Sequence, residues 1–144
     1  MPALPFRLLS HTADIGLEIT APTWTSLLEE TGRGWTALVT DPARVTAQEQ
    51  QTLSVAADGR DLMLADFLRE LLYRFDARGW LAAEYRVTEA PGGGVLAELS
   101  GETWDPARHP LRQAVKAVTW HRLEVAEQDG EGGREWVARV YFDV

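Results

Sequence analysis

The chain contains no cysteine. That excludes a disulfide scaffold, a zinc–thiolate centre and a cysteine nucleophile, and it fits a reducing compartment. No apolar run approaches the roughly 20 residues that span a bilayer. The opening MPALPFRLLSH is too short and too broken by proline for a signal peptide, so a soluble cytoplasmic protein with no membrane contact is expected. Basic residues are also scarce: 14 Lys and Arg stand against 22 Asp and Glu, a net charge of -8. A phosphate backbone is gripped by a Lys/Arg footprint, so a direct hold on nucleic acid is not expected. An acidic surface suits basic protein partners or metal ions.

Several motifs are missing too. There is no Walker A sequence, and Gly92-Gly93-Gly94 leads into a strand rather than a helix, so it is no phosphate loop. Ser10, Ser26, Ser54 and Ser100 lack the context of a nucleophile elbow. Neither an internal repeat nor a low-complexity tail is visible.

What remains is 144 residues, 45% of them hydrophobic, enough for one domain with a core. The breaks at Pro22, Asp41-Pro42, Asp58-Gly59, Pro91 to Gly94, Asp105 to Pro110 and Asp129 to Gly133 read as turns, none long enough to link domains. Residues 6–9 and 16–20 read as strands. A helix follows Thr23, a candidate cap. Trp24, Leu27, Leu28, Trp35 and Leu38 recur along it at helical spacing, and Gly32 and Gly34 suit close packing on a sheet. Residues 51–57 read as a strand. Asp61 is a candidate cap for a second helix with its stripe on Leu62, Ala65, Leu68, Leu72 and Phe75, and Gly79 closes it. Residues 80–88 and 95–99 form a hairpin about the triple glycine. Residues 115–126 form a long strand with Ala117, Thr119, His121, Leu123 and Val125 on its more apolar face. A loop at 127–134 and a last strand at 135–142 complete the order. Strands bunched in hairpins predict an α+β single domain over residues 1–144: a largely antiparallel sheet with two main helices packed on it.

Several residues are candidates for chemistry. Asp14, in His11-Thr12-Ala13-Asp14-Ile15-Gly16, lies between two strands; an Asx-turn is the plainer reading and a metal carboxylate the sharper one. Asp143 is next to Val144, and the apolar Tyr141, Phe142 and Val144 favour a docked end, which would put two carboxylates together. Such hard oxygen donors suit calcium, magnesium or manganese. Lys116 and His121 are five residues apart, so a regular strand would point them to opposite faces. His109 with Asp105 has the look of a weak metal pair.

These pieces together resemble the archease family. HTADIG (11–16), LADFLRELLY (64–73), GETWDPARH (101–109), KAVTWH (116–121) and a final strand ending in Asp143 occur in the family's order and spacing over nearly the whole chain. Trp120 stands where many members have Tyr, and Ala114 where an acidic residue is common. The resemblance implies a small α+β fold without catalytic activity of its own. It implies an accessory role for an RtcB-type tRNA-splicing RNA ligase, promoting its GTP-dependent guanylylation and multiple turnover. It maps a divalent-metal site, with calcium ahead of magnesium or manganese, onto Asp14, Asp143 and Val144. Lys116 is the next functional candidate, followed by His11 and His121. A metal-assisted hydrolase and a chaperone-like protein for RNA-processing partners are the competing readings.

Overall fold

The computed structural model describes residues 5–10 and 14–144. Seven strands and two helices follow one another as β1 (Phe6–Ser10), β2 (Asp14–Ala21), α1 (Trp24–Val39), β3 (Glu49–Val55), α2 (Arg60–Arg78), β4 (Trp80–Glu89), β5 (Val95–Thr103), β6 (Ala117–Gly130) and β7 (Gly133–Asp143). The expected α+β class holds. The strands, however, form two antiparallel sheets, not one: β1-β2-β7-β6 and β3-β5-β4. Each helix touches both sheets, so the helical layer supplies the apolar surface that each sheet buries.

The sequence explains the helices. Thr23 accepts the Ser26 N–H while the Ser26 hydroxyl accepts the Thr23 N–H, a reciprocal cap that satisfies two free donors at the start of α1. Trp24, Leu27, Leu28, Trp35, Leu38 and Val39 are buried along it. Gly32 lies against the ring of Tyr85 on β4, so closely that a Cβ would overlap the ring, and Gly34 lies against Phe6 and Leu17 on the other sheet. Asp61 is not the cap of α2. Gly59 occupies that position, with φ 96° and no side chain to offer, and Asp61 sits in the first turn with Oδ1 accepting only the Leu62 N–H. Arg60 there is held instead by aromatic faces, its guanidinium 5.0 Å from the Trp24 ring and 4.6 Å from the Trp136 ring. Gly79 ends the helix in the left-handed conformation, as its position predicts.

Alternation assigns the two faces of the four-stranded sheet. Ile15, Leu17, Ile19 and Ala21 on β2 lie opposite Phe142, Val140, Ala138 and Trp136 on β7, facing the helices. Asp14, Gly16, Glu18 and Thr20 lie opposite Asp143, Tyr141, Arg139 and Val137 on the outer face. A row of charge crosses all four strands there. Arg7 Nε and Arg139 Nε each donate to Glu18 at 2.7 Å, and Arg139 reaches Glu124 at 3.3 Å. The Arg7 hydrogen bond leads in holding the Glu18 carboxyl below its ordinary pKa, against its burial and with help from Arg139.

The C-terminal hairpin departs from the sequence reading. β6 runs on to Gly130 and β7 starts at Gly133, so the expected loop at 127–134 is a tight turn between long strands. β6 is also irregular. Thr119 pairs with Tyr141 and Glu124 with Arg139, so five steps on β6 match two on β7, and Arg122 takes φ 60° inside the bulge. The odd shift exchanges the faces: Val118 lies opposite Phe142 on the helix side, and beyond the bulge it is Val125, opposite Ala138, that does so. The single apolar face proposed for residues 115–126 is therefore replaced by two half-faces.

Candidate functional site

Asp14 opens β2 and Asp143 closes β7, and the ladder sets them directly opposite one another. Asp14 is thus a strand residue, not part of an Asx-turn. Directly opposed residues of an antiparallel pair share a face, with Cβ atoms about 4.5–5.5 Å apart. Asp14 is half-buried and Asp143 exposed. The third strand reaches the same end: Ala117 lies opposite Asp143 from the β6 side, and the Lys116 N–H donates to the Asp143 carbonyl at 2.7 Å. That bond ties the backbone of residue 143 and brings Lys116 within one residue of the acidic pair. Lys116 is exposed, and it is the only lysine among the chain's 14 basic residues. Val144 follows Asp143 and is also exposed.

Four of the six candidate residues, Asp14, Asp143, Val144 and Lys116, therefore converge at one end of the sheet. His121 does not belong to the ladder row; it is exposed within the β6 bulge, where strand alternation no longer decides its direction. His11 lies outside the described residues.

Two like charges set directly opposite in a sheet destabilise it, and a cation between them reverses the sign of the interaction. The donors fit a hard divalent ion: carboxylate oxygens, with no soft ligand. Among the described residues, no group of three or more His, Asp or Glu side chains is placed to hold a metal. Among the described residues, two side-chain carboxylates are what this end of the sheet offers.

The Asp105–His109 pair is no metal site. His109 is buried, and its Nδ1 accepts the Asp105 backbone N–H at 2.8 Å. Its Nε2 therefore carries the hydrogen toward Glu102 Oε2, 3.0 Å away. The ring also stacks on Trp104. Glu102 is itself buried. Its Oε2 accepts the Thr46 N–H at 2.7 Å and its Oε1 accepts from Arg108 at 2.6 Å. Burial pushes its pKa up, but these three donors win and hold it at about 2. The sequence reading gave Glu102 no role, and a lone Glu late in a strand carries no signal that it turns inward.

The bulge presents a further feature. Trp120 is exposed, with the Arg69 guanidinium of α2 3.9 Å over its ring. Nothing in the alternation of residues 115–126 announces it.

A family model described as the Archease protein family matches residues 6–144. The chain belongs to the archease family. A protein archease of Methanopyrus kandleri is 34% identical over 98% of this chain and 100% of its own length. One of Aeropyrum pernix is 30% identical over 83% of this chain and 86% of its own. The solution structure of Methanobacterium thermoautotrophicum protein 1598 superposes with a TM-score of 0.81 at 25% identity, covering 99% of this chain and 100% of that one. No helix among the described residues is long and apolar enough to cross a membrane.

Proposed function

We propose that this chain is a non-catalytic, cytoplasmic activator of an RtcB-type tRNA-splicing RNA ligase. It acts through a divalent ion, calcium in the first instance, bound by Asp14, Asp143 and Val144. The observation that carries the reading is the cross-strand opposition of Asp14 and Asp143 in an archease chain. The register joins residues 129 positions apart at one end of the sheet and sets two carboxylates side by side there. Such a site leaves coordination positions for water or a partner's ligands. The net charge of -8 favours approach to a basic partner surface, so the ligase, not this chain, holds the RNA. Lys116, tied through its N–H to Asp143, provides a cationic side chain at the same end, available to a phosphate or a carboxylate of the partner.

The test is GTP-dependent guanylylation and multiple-turnover RNA joining by a cognate ligase, with substoichiometric amounts of this protein. Stimulation is expected, and it should fall at least tenfold in Asp14→Ala and Asp143→Ala. A working ligase that gains nothing from the wild-type chain rejects the activator reading. Stimulation that survives both substitutions rejects the metal site alone.

A further inference from the structure

Two sheets have four edge strands, and among the described residues three of them are covered or guarded. On β4, Glu29 Oε2 accepts the Val87 N–H at 2.9 Å and Thr36 Oγ1 donates to the Ala82 carbonyl at 2.8 Å. On β3, Arg74 donates to the Thr52 carbonyl at 2.9 Å. The β6 edge is broken by its bulge, receives Arg69 at the Val118 carbonyl, and carries Glu124, Glu127 and Asp129 farther along. Covering groups, bulges and charge are the means by which sheets avoid pairing with another chain.

Among the described residues, the β1 edge has none of these. Its one charged residue, Arg7, is bound to Glu18 on the outer face. The Thr20 N–H donates to the Pro5 carbonyl at 2.8 Å, which fixes the phase of the ladder. With that phase, Arg7 and Leu9 turn their backbone groups toward β2, and Phe6, Leu8 and Ser10 turn theirs away from the sheet. Beside this edge runs a groove of about 650 Å³ lined by Phe6, Arg7, Leu8, Gly34, Ala37, Leu38 and Arg112. Leu8 is 64% exposed.

We propose that β1 is a self-association edge, on which a second copy of this chain pairs its own β1 antiparallel about a two-fold axis at Leu8. The two four-stranded sheets then become one. The outward-turned residues are symmetric about Leu8: pairing Leu8 with Leu8 and Phe6 with Ser10 matches donors to acceptors along the whole strand, as an isologous contact requires. Charge selects a second copy as the occupant. None of the groove's lining residues is acidic, in a chain with 22 carboxylates among 144 residues. Its two arginines already face Glu18 and, at 4.0 Å, Asp41. A chain of net charge -8 thus meets its copy where repulsion is least. A five-residue edge buries less than the ~1,200 Å² of a standard interface, so the dimer exchanges rapidly and depends on concentration.

The experiment is sedimentation equilibrium of the untagged full chain from about 10 µM to about 1 mM, a range that captures weak dimers. The mass is expected to rise from 16.0 kDa toward twice that value. Leu8→Lys places a charge on the axis. Leu8→Pro removes an outward N–H and leaves the inward β1–β2 bonds in place. Both variants should remain at the monomer mass with unchanged circular dichroism. A wild-type chain that stays monomeric at the highest concentration overturns the proposal, as does a dimer that both variants leave intact.

Discussion

Glu102→Gln removes one charge from the centre of the Glu102–Arg108–His109 cluster and changes almost nothing in shape. The glutamine has one oxygen where the carboxylate has two. If the oxygen keeps the Oε2 place, Thr46 and His109 retain their acceptor, and the new NH2 faces the Arg108 guanidinium, donor against donor. If it takes the Oε1 place, two donors inside the protein lose their acceptor, which costs more. The first arrangement therefore prevails. It loses a charge-assisted hydrogen bond of about 1.5–3 kcal/mol, lessened because Arg108 is half exposed and returns to water. A loss of about 2 kcal/mol at pH 7 is expected in urea unfolding. The pH dependence is the sharper test. Glu102 is held at about 2, below its ordinary value of 4.5, so its contribution is present in full above that ordinary value. It is lost as pH falls from there toward about 2. The gap between wild type and Glu102→Gln should be constant from pH 7 to about pH 5 and then close. A gap that persists unchanged at pH 2.5, or one under about 0.5 kcal/mol at pH 7, would refute the argument.

Two further outcomes follow from packing and from charge. Gly32→Ala drives a methyl group into the Tyr85 ring, which is buried and whose hydroxyl is hydrogen-bonded to Thr36, and the helix must lift from β4. A loss of about 3 kcal/mol is expected in thermal or urea unfolding, while Gly34→Ala, with only ordinary to slightly tight contacts, costs about 1 kcal/mol or less. In chelator, Asp14→Asn should stabilise the chain by a few tenths of a kcal/mol, by relieving the repulsion from Asp143. The same variant should lose any rise in melting temperature that calcium gives the wild type; an equal calcium response in both proteins would exclude Asp14 as a ligand.

How legible this was in the sequence depended on whether the information was local. Thr23 and Gly79 are local signals, and both act as read. The α1 stripe predicts its buried face because helical spacing is fixed by geometry within a few residues. Asp61 failed as a cap because Gly59 and the Arg60–tryptophan contacts set the start of α2 from outside the motif. The faces of β6 failed for a stronger reason: alternation holds only in an unbroken ladder, and the bulge at residues 120–123 lies at non-glycine residues that do not advertise it. One sheet was expected and two were found, because β3 and β5 pair across α2 and β4, a choice that strand patterns alone leave open. At the candidate site, the types of Asp14 and Asp143 were visible from the start. Their juxtaposition was not, since it rests on the register of β2 against β7.

That register links the candidate site to the rest of the sheet. A slip of β2 by one residue against β7 would carry Asp14 to the helix side, away from Asp143, and bring the Leu17 row outward. The Asp14–Asp143 pair opposes its own register, because like charges face each other. Two things outweigh it. On the helix side, Leu17, Ile19, Val140 and Phe142 are fully buried only in this phase. On the outer face, two same-face rows away, Glu18 lies opposite Arg139 and holds Arg7 as well, so the favourable pairing occupies the same face as the unfavourable one. The acidic pair can therefore persist without a bound ion at a cost of only a fraction of the burial that fixes β2 on β7. Repulsion that the fold tolerates in this way is available to any cation or cationic partner that arrives at that end. Lys116, held by its own N–H to the Asp143 carbonyl, sets a cationic residue next to that pair.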